Sequence, residues 1–234
     1  MTCLPANQAL PHERETRLRP SSARFTVARQ DPRDRFRSPG RGFEIAKRSL
    51  DLVLSSLLLV VLSPVLMGCA LWIGVACGQG VIYSQWRVGR DGYLFRVHKL
   101  RTMRSDAERQ GARYAASGDD RVLPGCRWMR ISHVDELPQL WNILKGDMSL
   151  VGPRPERPEM FESLRVTAPG FERRLAAAPG LTGPAQLHVG YTNDDAGARR
   201  KLAWDLRYLR RRSVRHDAEL LLRTVPKIWD TTAC

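Results

Sequence analysis

A long run without any charged residue, from Leu52 to Cys77, constrains the fold of this chain more than any other feature. It is dominated by leucine, valine, isoleucine and methionine, and it exceeds the roughly 20 residues that a helix needs to span a bilayer. The alternative is a buried helix of a soluble protein, but such helices are usually shorter. The run therefore predicts a membrane helix. Near its middle, Pro64 removes one helical hydrogen bond, and Ser63 is placed to bind the carbonyl that is freed.

The charges on either side of this run bear on its topology. Lys47 and Arg48 precede it, and several basic residues, including Arg87 and Lys99, follow it. Positive charge marks the cytoplasmic side of a membrane segment, so both flanks favour that side. A re-entrant helix that breaks at Pro64 satisfies both flanks and is the favoured prediction. A straight span, which satisfies only one flank, is the other reading, because the rule is statistical.

Composition divides the chain into three parts. Residues 1–42 are rich in proline and arginine and predict a disordered basic tail, residues 43–78 the membrane helix, and residues 79–234 a cytoplasmic domain. The net charge of +14 indicates anionic partners: nucleic acid, phospholipid head groups or a phosphorylated substrate. The five cysteines show no metal-binding spacing, which argues against a zinc site and a disulfide framework.

Two segments of the third part have clear local patterns. Residues 80–85 and 93–97 have strand character, and the Arg90-Asp91-Gly92 turn signal between them predicts a β-hairpin. Residues 196–229 predict two amphipathic helices, whose apolar stripes are typical either of core packing or of a helix at a membrane surface. The predicted fold class is therefore α/β, mostly helical, with a small β-hairpin.

A pair of adjacent carboxylates, Asp135 and Glu136, opens an apolar, helix-like segment. Acids at a helix N-terminus are favoured by the helix dipole, so capping is the simple interpretation. Arg130 lies upstream, however, and Arg154 follows in Gly152-Pro153-Arg154-Pro155. Carboxylates among arginines suit a metal ion and a phosphate.

Several of these segments carry a resemblance to a known family, and they occur in the family's order. They are Lys47–Asp51, Ser63-Pro64, Gln85–Gly89, Lys99–Met103, Asp135–Leu150, Gly152–Pro155 and Pro179–Gly183. The chain resembles the bacterial sugar transferases, a family of monotopic phosphoglycosyl transferases. The resemblance covers residues 43 to about 229 and leaves the tail outside.

The resemblance implies a fold, a reaction and a location. The fold is a re-entrant membrane helix hairpin on a compact cytoplasmic α/β domain with amphipathic helices at the interface. The reaction moves a sugar-1-phosphate from a nucleotide sugar, with UDP as the expected nucleotide, to polyprenyl phosphate and releases the nucleoside monophosphate. It is the first membrane step of exopolysaccharide or related glycan synthesis. The implied location is the cytoplasmic face of the inner membrane, in contact with anionic phospholipid, and no nucleic-acid partner is expected.

The resemblance also implies roles for particular residues. Asp135 is the expected nucleophile, which forms an acyl-phosphate intermediate. Glu136 is expected to hold Mg²⁺ together with Asp135 or to handle protons. The basic residues expected to bind the substrate phosphates are Lys99, Arg101, Arg130 and Arg154. On the residues alone, Lys99 and Arg101 are equally consistent with a basic patch that faces lipid.

The chain departs from the family pattern at a few positions. Leu100 replaces a common phenylalanine, and His133 stands where a small hydroxyl residue is common and is expected to be structural. Residues 186–191 lack an arginine that many members have, so the identity of the transferred sugar is not predicted. One alternative of another class is a membrane-tethered basic adaptor without catalysis. It accounts for the charge and the apolar run but gives no reason for the acid pair.

Overall fold

The computed structural model describes residues 36, 40–78, 80–109, 118–189 and 195–227, so most of the predicted tail lies outside the described residues. The α-helices are α1 (Arg41–Cys77), α2 (Arg127–Ile131), α3 (Gln139–Lys145), α4 (Pro158–Thr167), α5 (Pro184–His188), α6 (Asp195–Arg211) and α7 (Val214–Thr224). The strands are β1 (Ile82–Val88), β2 (Leu94–Leu100), β3 (Ser149–Val151) and β4 (Gly180–Thr182), and they form two small sheets. The mostly helical α/β class predicted from the sequence is confirmed.

Helix α1 continues through Ser63 and Pro64, so the predicted hairpin of two helices is not confirmed. Pro64 leaves the carbonyl of Val60 without its usual helical donor. The Ser63 hydroxyl donates a 2.8 Å hydrogen bond to that carbonyl, as predicted, and the helix proceeds. Among the described helices, α1 alone is long and apolar enough to cross a membrane by length and composition, and most of its apolar stretch is exposed.

Both ends of α1 contact the same globular domain. Near its start, Lys47 forms a 2.6 Å ion pair with Asp217, and the Asp51 carboxylate accepts a hydrogen bond from the backbone N–H of Leu150. Near its end, Cys69 and Ile73 are buried in an apolar cluster that includes Leu100, Leu123, Cys126 and Met129. The middle of the helix is exposed at Val60, Val61 and Val65. The chain therefore returns to one domain after the apolar run.

The predicted β-hairpin is confirmed. Strands β1 and β2 pair antiparallel in a register that runs from Ile82 opposite Leu100 to Val88 opposite Leu94. The turn between them contains Asp91 and Gly92, which both have positive φ. This register places Lys99 near the end of β2, one residue before Leu100, which is buried in the same cluster as Ile73.

A second sheet, which the sequence did not predict, joins two distant loops. Strands β3 and β4 pair in parallel, with Ser149 opposite Gly180 and Val151 opposite Thr182. The loops after these strands approach so closely that a Cβ atom on Gly152, Gly180 or Gly183 would overlap neighbouring backbone atoms. These glycines therefore allow the close contact that fixes the loop carrying Arg154.

The two predicted C-terminal helices are confirmed as α6 and α7. Of the two interpretations of the apolar stripe, α6 supports core packing. Leu202, Tyr208 and Leu209 are buried in the core of the domain, as core packing requires. On α7, Leu220 is buried while Leu222 is exposed. Ile228 and Trp229, which belong to the same prediction, lie outside the described residues.

Candidate active site

Asp135 and Glu136 lie in a short 3-10 turn, Val134–Glu136, that leads directly into α3. The backbone of Leu137 and Pro138 stays in the right-handed helical region, so the turn and α3 form one nearly continuous helical segment, as the sequence predicts. His133 precedes the turn with a positive φ of 54°, which is uncommon for a residue with a side chain. Only 6% of Asp135 and 7% of Glu136 is exposed.

Glu136 is held by two basic residues from other parts of the chain. Arg154 donates to both of its carboxylate oxygens, at 2.6 and 3.1 Å. Lys99 donates to Oε1 at 2.6 Å. Burial alone would raise the pKa of Glu136, but the charges and hydrogen bonds of Arg154 and Lys99 outweigh it and hold the pKa well below its ordinary value. Glu136 is therefore an anion fixed in place by ion pairs, and it does not cap α3.

Asp135 has a different environment, although it lies in the same turn. None of the residues that the structure describes donates a hydrogen bond to its carboxylate. Burial raises the pKa of Asp135 from 3.8 to about 6, and the charge of Glu136 adds to this effect. Lys99, Arg130 and Arg154 act in the opposite direction. A buried carboxylate without a donor, next to three cations, is chemically suited to attack an electrophile that carries negative charge.

The structure brings together three of the four basic residues that were predicted to bind substrate. Lys99 and Arg154 contact Glu136, and Arg130 lies near Asp135, where its guanidinium donates to Thr102 at 3.3 Å. Arg101 lies elsewhere: its Nε donates to the carbonyl of Gly80, and its guanidinium lies over the ring of Tyr83.

Sequence reasoning missed basic residues that surround the loop of Arg154. Arg87 on β1 donates to the carbonyl of Pro155 at 3.2 Å. Arg157, immediately after that loop, forms a two-fold ion pair with Glu108. Arg87 belongs to the Gln85–Gly89 segment that carries the family resemblance. Its place in that segment is the sequence feature that could have marked it as a site residue. Its approach to the loop depends on pairing between segments far apart in sequence.

The acid pair fits a Mg²⁺ ion that is shared with a substrate. No group of three or more histidine, cysteine, aspartate or glutamate side chains that could hold a metal is present among the described residues. Mg²⁺ in phosphate-transferring sites is commonly bound by one or two carboxylates, with the substrate phosphates and water completing its shell. No described residue donates a hydrogen bond to the carboxylate of Asp135, and Oε2 of Glu136 accepts only one, from Arg154, so both side chains keep lone pairs for a metal ion.

Fold and site together describe a domain with a buried acid pair among cations, attached to an exposed apolar helix. Residues 43–231 match the family model described as bacterial sugar transferase. The chain belongs to the bacterial sugar transferase family. This membership gives no support to the alternative of a non-catalytic adaptor.

Three relatives illustrate the similarity. The chain is 37% identical over 195 residues to the UDP-glucose:undecaprenyl-phosphate glucose-1-phosphate transferase of Caulobacter vibrioides, covering 82% of this chain and 73% of the relative. It is 33% identical to an Aeromonas hydrophila protein named UDP-N-acetylgalactosamine-undecaprenyl-phosphate N-acetylgalactosaminephosphotransferase, covering 81% of this chain and 45% of that protein. It is 36% identical to the Escherichia coli UDP-glucose:undecaprenyl-phosphate glucose-1-phosphate transferase, covering 78% of this chain and 40% of that protein. The chain thus spans less than half of the latter two relatives.

Proposed function

We propose that this protein transfers a sugar-1-phosphate from a UDP-sugar to undecaprenyl phosphate and releases UMP, as the first membrane step in the synthesis of an exopolysaccharide or related glycan. The observation that carries the proposal is the contrast between the two carboxylates of a bacterial sugar transferase: Asp135 is buried and accepts no hydrogen bond from the described residues, while Glu136 is fixed by Lys99 and Arg154. The names of the relatives support the donor and acceptor classes. They differ in the sugar, which stays open here.

The proposed reaction proceeds in two displacements at one phosphorus atom. A carboxylate oxygen of Asp135 forms a bond to the phosphorus that bears the sugar, and the bond from that phosphorus to the bridging oxygen breaks. The electron pair leaves with UMP, and an acyl-phosphate joins Asp135 to the sugar. An oxygen of undecaprenyl phosphate then attacks the same phosphorus and releases the Asp135 carboxylate. Lys99, Arg130 and Arg154 offset the negative charge that gathers around the phosphoryl group in both steps.

Mg²⁺ is the proposed cofactor, held by Asp135 and Glu136 together with the phosphates of the donor. When bound, it supplies positive charge that reduces the repulsion between a carboxylate and a diphosphate. Removal of divalent cations with EDTA is expected to abolish turnover, and excess Mg²⁺ is expected to restore it. Full activity in EDTA-treated, metal-free buffer would contradict this role. UDP-sugar binding measured with and without Mg²⁺ gives a second readout, and affinity is expected to fall when the ion is absent.

The proposed location is the cytoplasmic face of the inner membrane, with α1 entering and leaving the bilayer on that face and anionic phospholipid around its basic flanks. Support comes from the contacts at the two ends of α1. Lys47 pairs with Asp217 before the apolar run, and the indole of Trp72 donates to the carbonyl of Pro124 near its end. Since both contacts are made with one globular domain, a helix with its two ends on opposite membrane faces would break one of them.

A labelled-donor assay tests the proposed function. Membranes containing the protein are incubated with undecaprenyl phosphate and a panel of UDP-sugars labelled in the sugar. Transfer of label to the lipid fraction, with release of UMP, is the expected result for one or a few donors. If no donor in a panel that includes UDP-glucose and UDP-N-acetylgalactosamine transfers label, the proposal is wrong. The Asp135→Asn variant serves as the matched control for background transfer.

A further inference from the structure

Arg87 has an unusual set of partners for a basic residue so close to the acid pair. It lies near the end of β1 and is half-buried. Its guanidinium donates to the carbonyl of Pro155 at 3.2 Å and to Oε1 of Gln85 at 2.7 Å. Both acceptors are neutral. No further hydrogen bond and no ion pair of this side chain is present among the described residues, so other guanidinium N–H groups are available to a ligand.

Most neighbouring cations are already paired with carboxylates. Lys99 and Arg154 contact Glu136, and Arg157 contacts Glu108 at 2.8 Å. Within the described part of the chain, Arg87 has no carboxylate as a direct partner. Burial lowers the pKa of Arg87 to about 10, and the charges of Arg154 and Arg157 act in the same direction while those of Glu156 and Glu136 oppose them. A cation in this position is stabilised when an anion binds beside it.

Arg87 lies at the edge of the group of cations around Asp135. The positive charges that act on Asp135 come from Lys99, Arg130 and Arg154. Arg87 instead contacts Pro155, the residue after Arg154, and its charge acts on Lys99. We place the phosphorus attacked by Asp135 among the first three cations, which leaves the second phosphate of the diphosphate for Arg87.

We infer that Arg87 binds the phosphate group that departs with the nucleoside. This inference rests on the proposed function and deepens it. A guanidinium with free N–H groups can engage two oxygens of a phosphate at once.

Arg87 also has a possible structural role, because its bond to Pro155 helps to hold the loop of Arg154. The two roles differ in what they predict for the free product. A phosphate ligand contributes to the affinity for UMP but not to that for uridine, which has no phosphate. A loop support alone acts through Arg154, which itself faces the phosphates, so Arg87→Ala would then weaken UMP binding no further in an Arg154→Ala background. Loss of a direct phosphate ligand would still weaken UMP binding in that background.

The test uses the full-length protein in detergent or membranes and measures inhibition of transfer by UMP and by uridine. Arg87→Ala is expected to weaken inhibition by UMP about ten- to a hundredfold and to leave inhibition by uridine unchanged. Arg87→Lys keeps the positive charge but cannot donate to two phosphate oxygens in the planar geometry of a guanidinium, so it is expected to retain part of the UMP affinity. The matched control is Arg96→Ala: Arg96 lies on the other strand of the same hairpin, over the ring of Trp86, and UMP inhibition is expected to stay at the wild-type value.

Thermal unfolding of each variant checks that the fold is intact, and direct binding of UMP by calorimetry replaces inhibition if Arg87→Ala is inactive. Unchanged UMP affinity in Arg87→Ala overturns the inference, as does an equal loss of UMP and uridine affinity. A wild-type protein that transfers no sugar-phosphate from any UDP-sugar is a separate result, since it refutes the proposed function rather than the role of Arg87.

Discussion

Two neighbouring carboxylates of the same turn differ in ionisation because their partners differ. Glu136 accepts three hydrogen bonds from Arg154 and Lys99, whereas Asp135 accepts none from the described residues. An anion that is already paired is a weak nucleophile, since its lone pairs are engaged. Asp135 is therefore the residue of the pair that is suited to form a covalent bond, and Glu136 is suited to organise the cations around it.

Replacing Asp135 by asparagine tests this assignment directly. The amide has nearly the same shape but cannot act as an anionic nucleophile, so Asp135→Asn is expected to abolish turnover with little change in fold. Wild-type protein given UDP-sugar without undecaprenyl phosphate is expected to release UMP and to gain one sugar-phosphate mass on the peptide that carries Asp135. The proposed mechanism is contradicted if mass spectrometry places the adduct on another residue or if Asp135→Asn turns over normally.

The pKa of Asp135 gives a second prediction at this scale. Because burial raises the pKa from 3.8 to about 6, ionisation of Asp135 disfavours the folded state, and the stability it contributes is present below about pH 4 and is lost as the pH rises through 6. Asp135→Asn does not titrate. Above pH 7 it is expected to be more stable than the wild type by about 3 kcal/mol, and the difference should shrink toward pH 4.

Unfolding in detergent at several pH values measures this difference. The activity of the wild type has the opposite dependence, because the anionic form is the nucleophile. The donor kcat/KM is expected to fall as the pH drops through about 6, or at a lower pH where bound Mg²⁺ favours the carboxylate. A wild type and an Asp135→Asn variant with identical stability profiles would show that Asp135 is not desolvated as described.

At the scale of elements, close backbone contact explains why the Arg154 loop is held in one position. The backbone N–H of Gly152 donates to the carbonyl of Thr182 at 2.9 Å, and that of Gly180 donates to the carbonyl of Pro153 at 2.9 Å. These bonds join the end of β3 to β4 across a large separation in sequence. A side chain at this junction would push the two loops apart and move Arg154 away from Glu136.

Gly180→Ala tests the junction. Its added Cβ would overlap the backbone of Gly152 and the carbonyl of Thr182, neither of which is a flexible side chain. The variant is expected to lose about 2 kcal/mol or more of unfolding free energy and most of its activity. Gly80→Ala is the control, because no atom lies within 4 Å of its added Cβ. Wild-type stability in Gly180→Ala would show that the loops approach less closely.

At the scale of the whole molecule, the exposed apolar helix and the positive net charge are both features that suit contact with a membrane. The apolar run is exposed along its middle, and both of its ends are docked on the domain through Lys47 and through Ile73. The net charge of +14 favours an anionic lipid surface. Since the domain cannot lie on two sides of a bilayer at once, these contacts are the reason we propose the re-entrant topology rather than the straight span.

Cysteine labelling tests that topology. In a background without the native cysteines, single cysteines at Gln30 and Asp230 are both expected to react with an impermeant maleimide only after the inner membrane is permeabilised. A cysteine on a periplasmic marker protein controls for reagent access. Labelling of position 30 in intact spheroplasts would establish a straight span. Pro64→Leu is expected to shift part of the population toward that span, because it restores the backbone donor to the carbonyl of Val60 and stiffens α1.

Local patterns in the sequence determined much of this protein. The uncharged run predicted α1, the turn signal at residues 90–92 predicted the hairpin, and the acid pair with its surrounding motifs predicted the family and the centre of the site. These features are readable because hydrophobic periodicity, turn chemistry and short motifs act over a few residues. The hydrogen bond from Ser63 to the carbonyl freed by Pro64 belongs to the same class.

Only the tertiary structure decided how these pieces meet. The continuity of α1 through Pro64, the parallel pairing of β3 with β4 and the approach of Arg87 to the loop of Arg154 were not readable from local patterns. Which carboxylate is paired was equally undetermined, since both are acids in one turn. Lys99 reaches Glu136 because the hairpin packs against the turn, and Arg154 reaches it because glycines let two distant strands approach. Ion pairs of this kind depend on distances between segments far apart in the chain, and only the packed fold sets those distances.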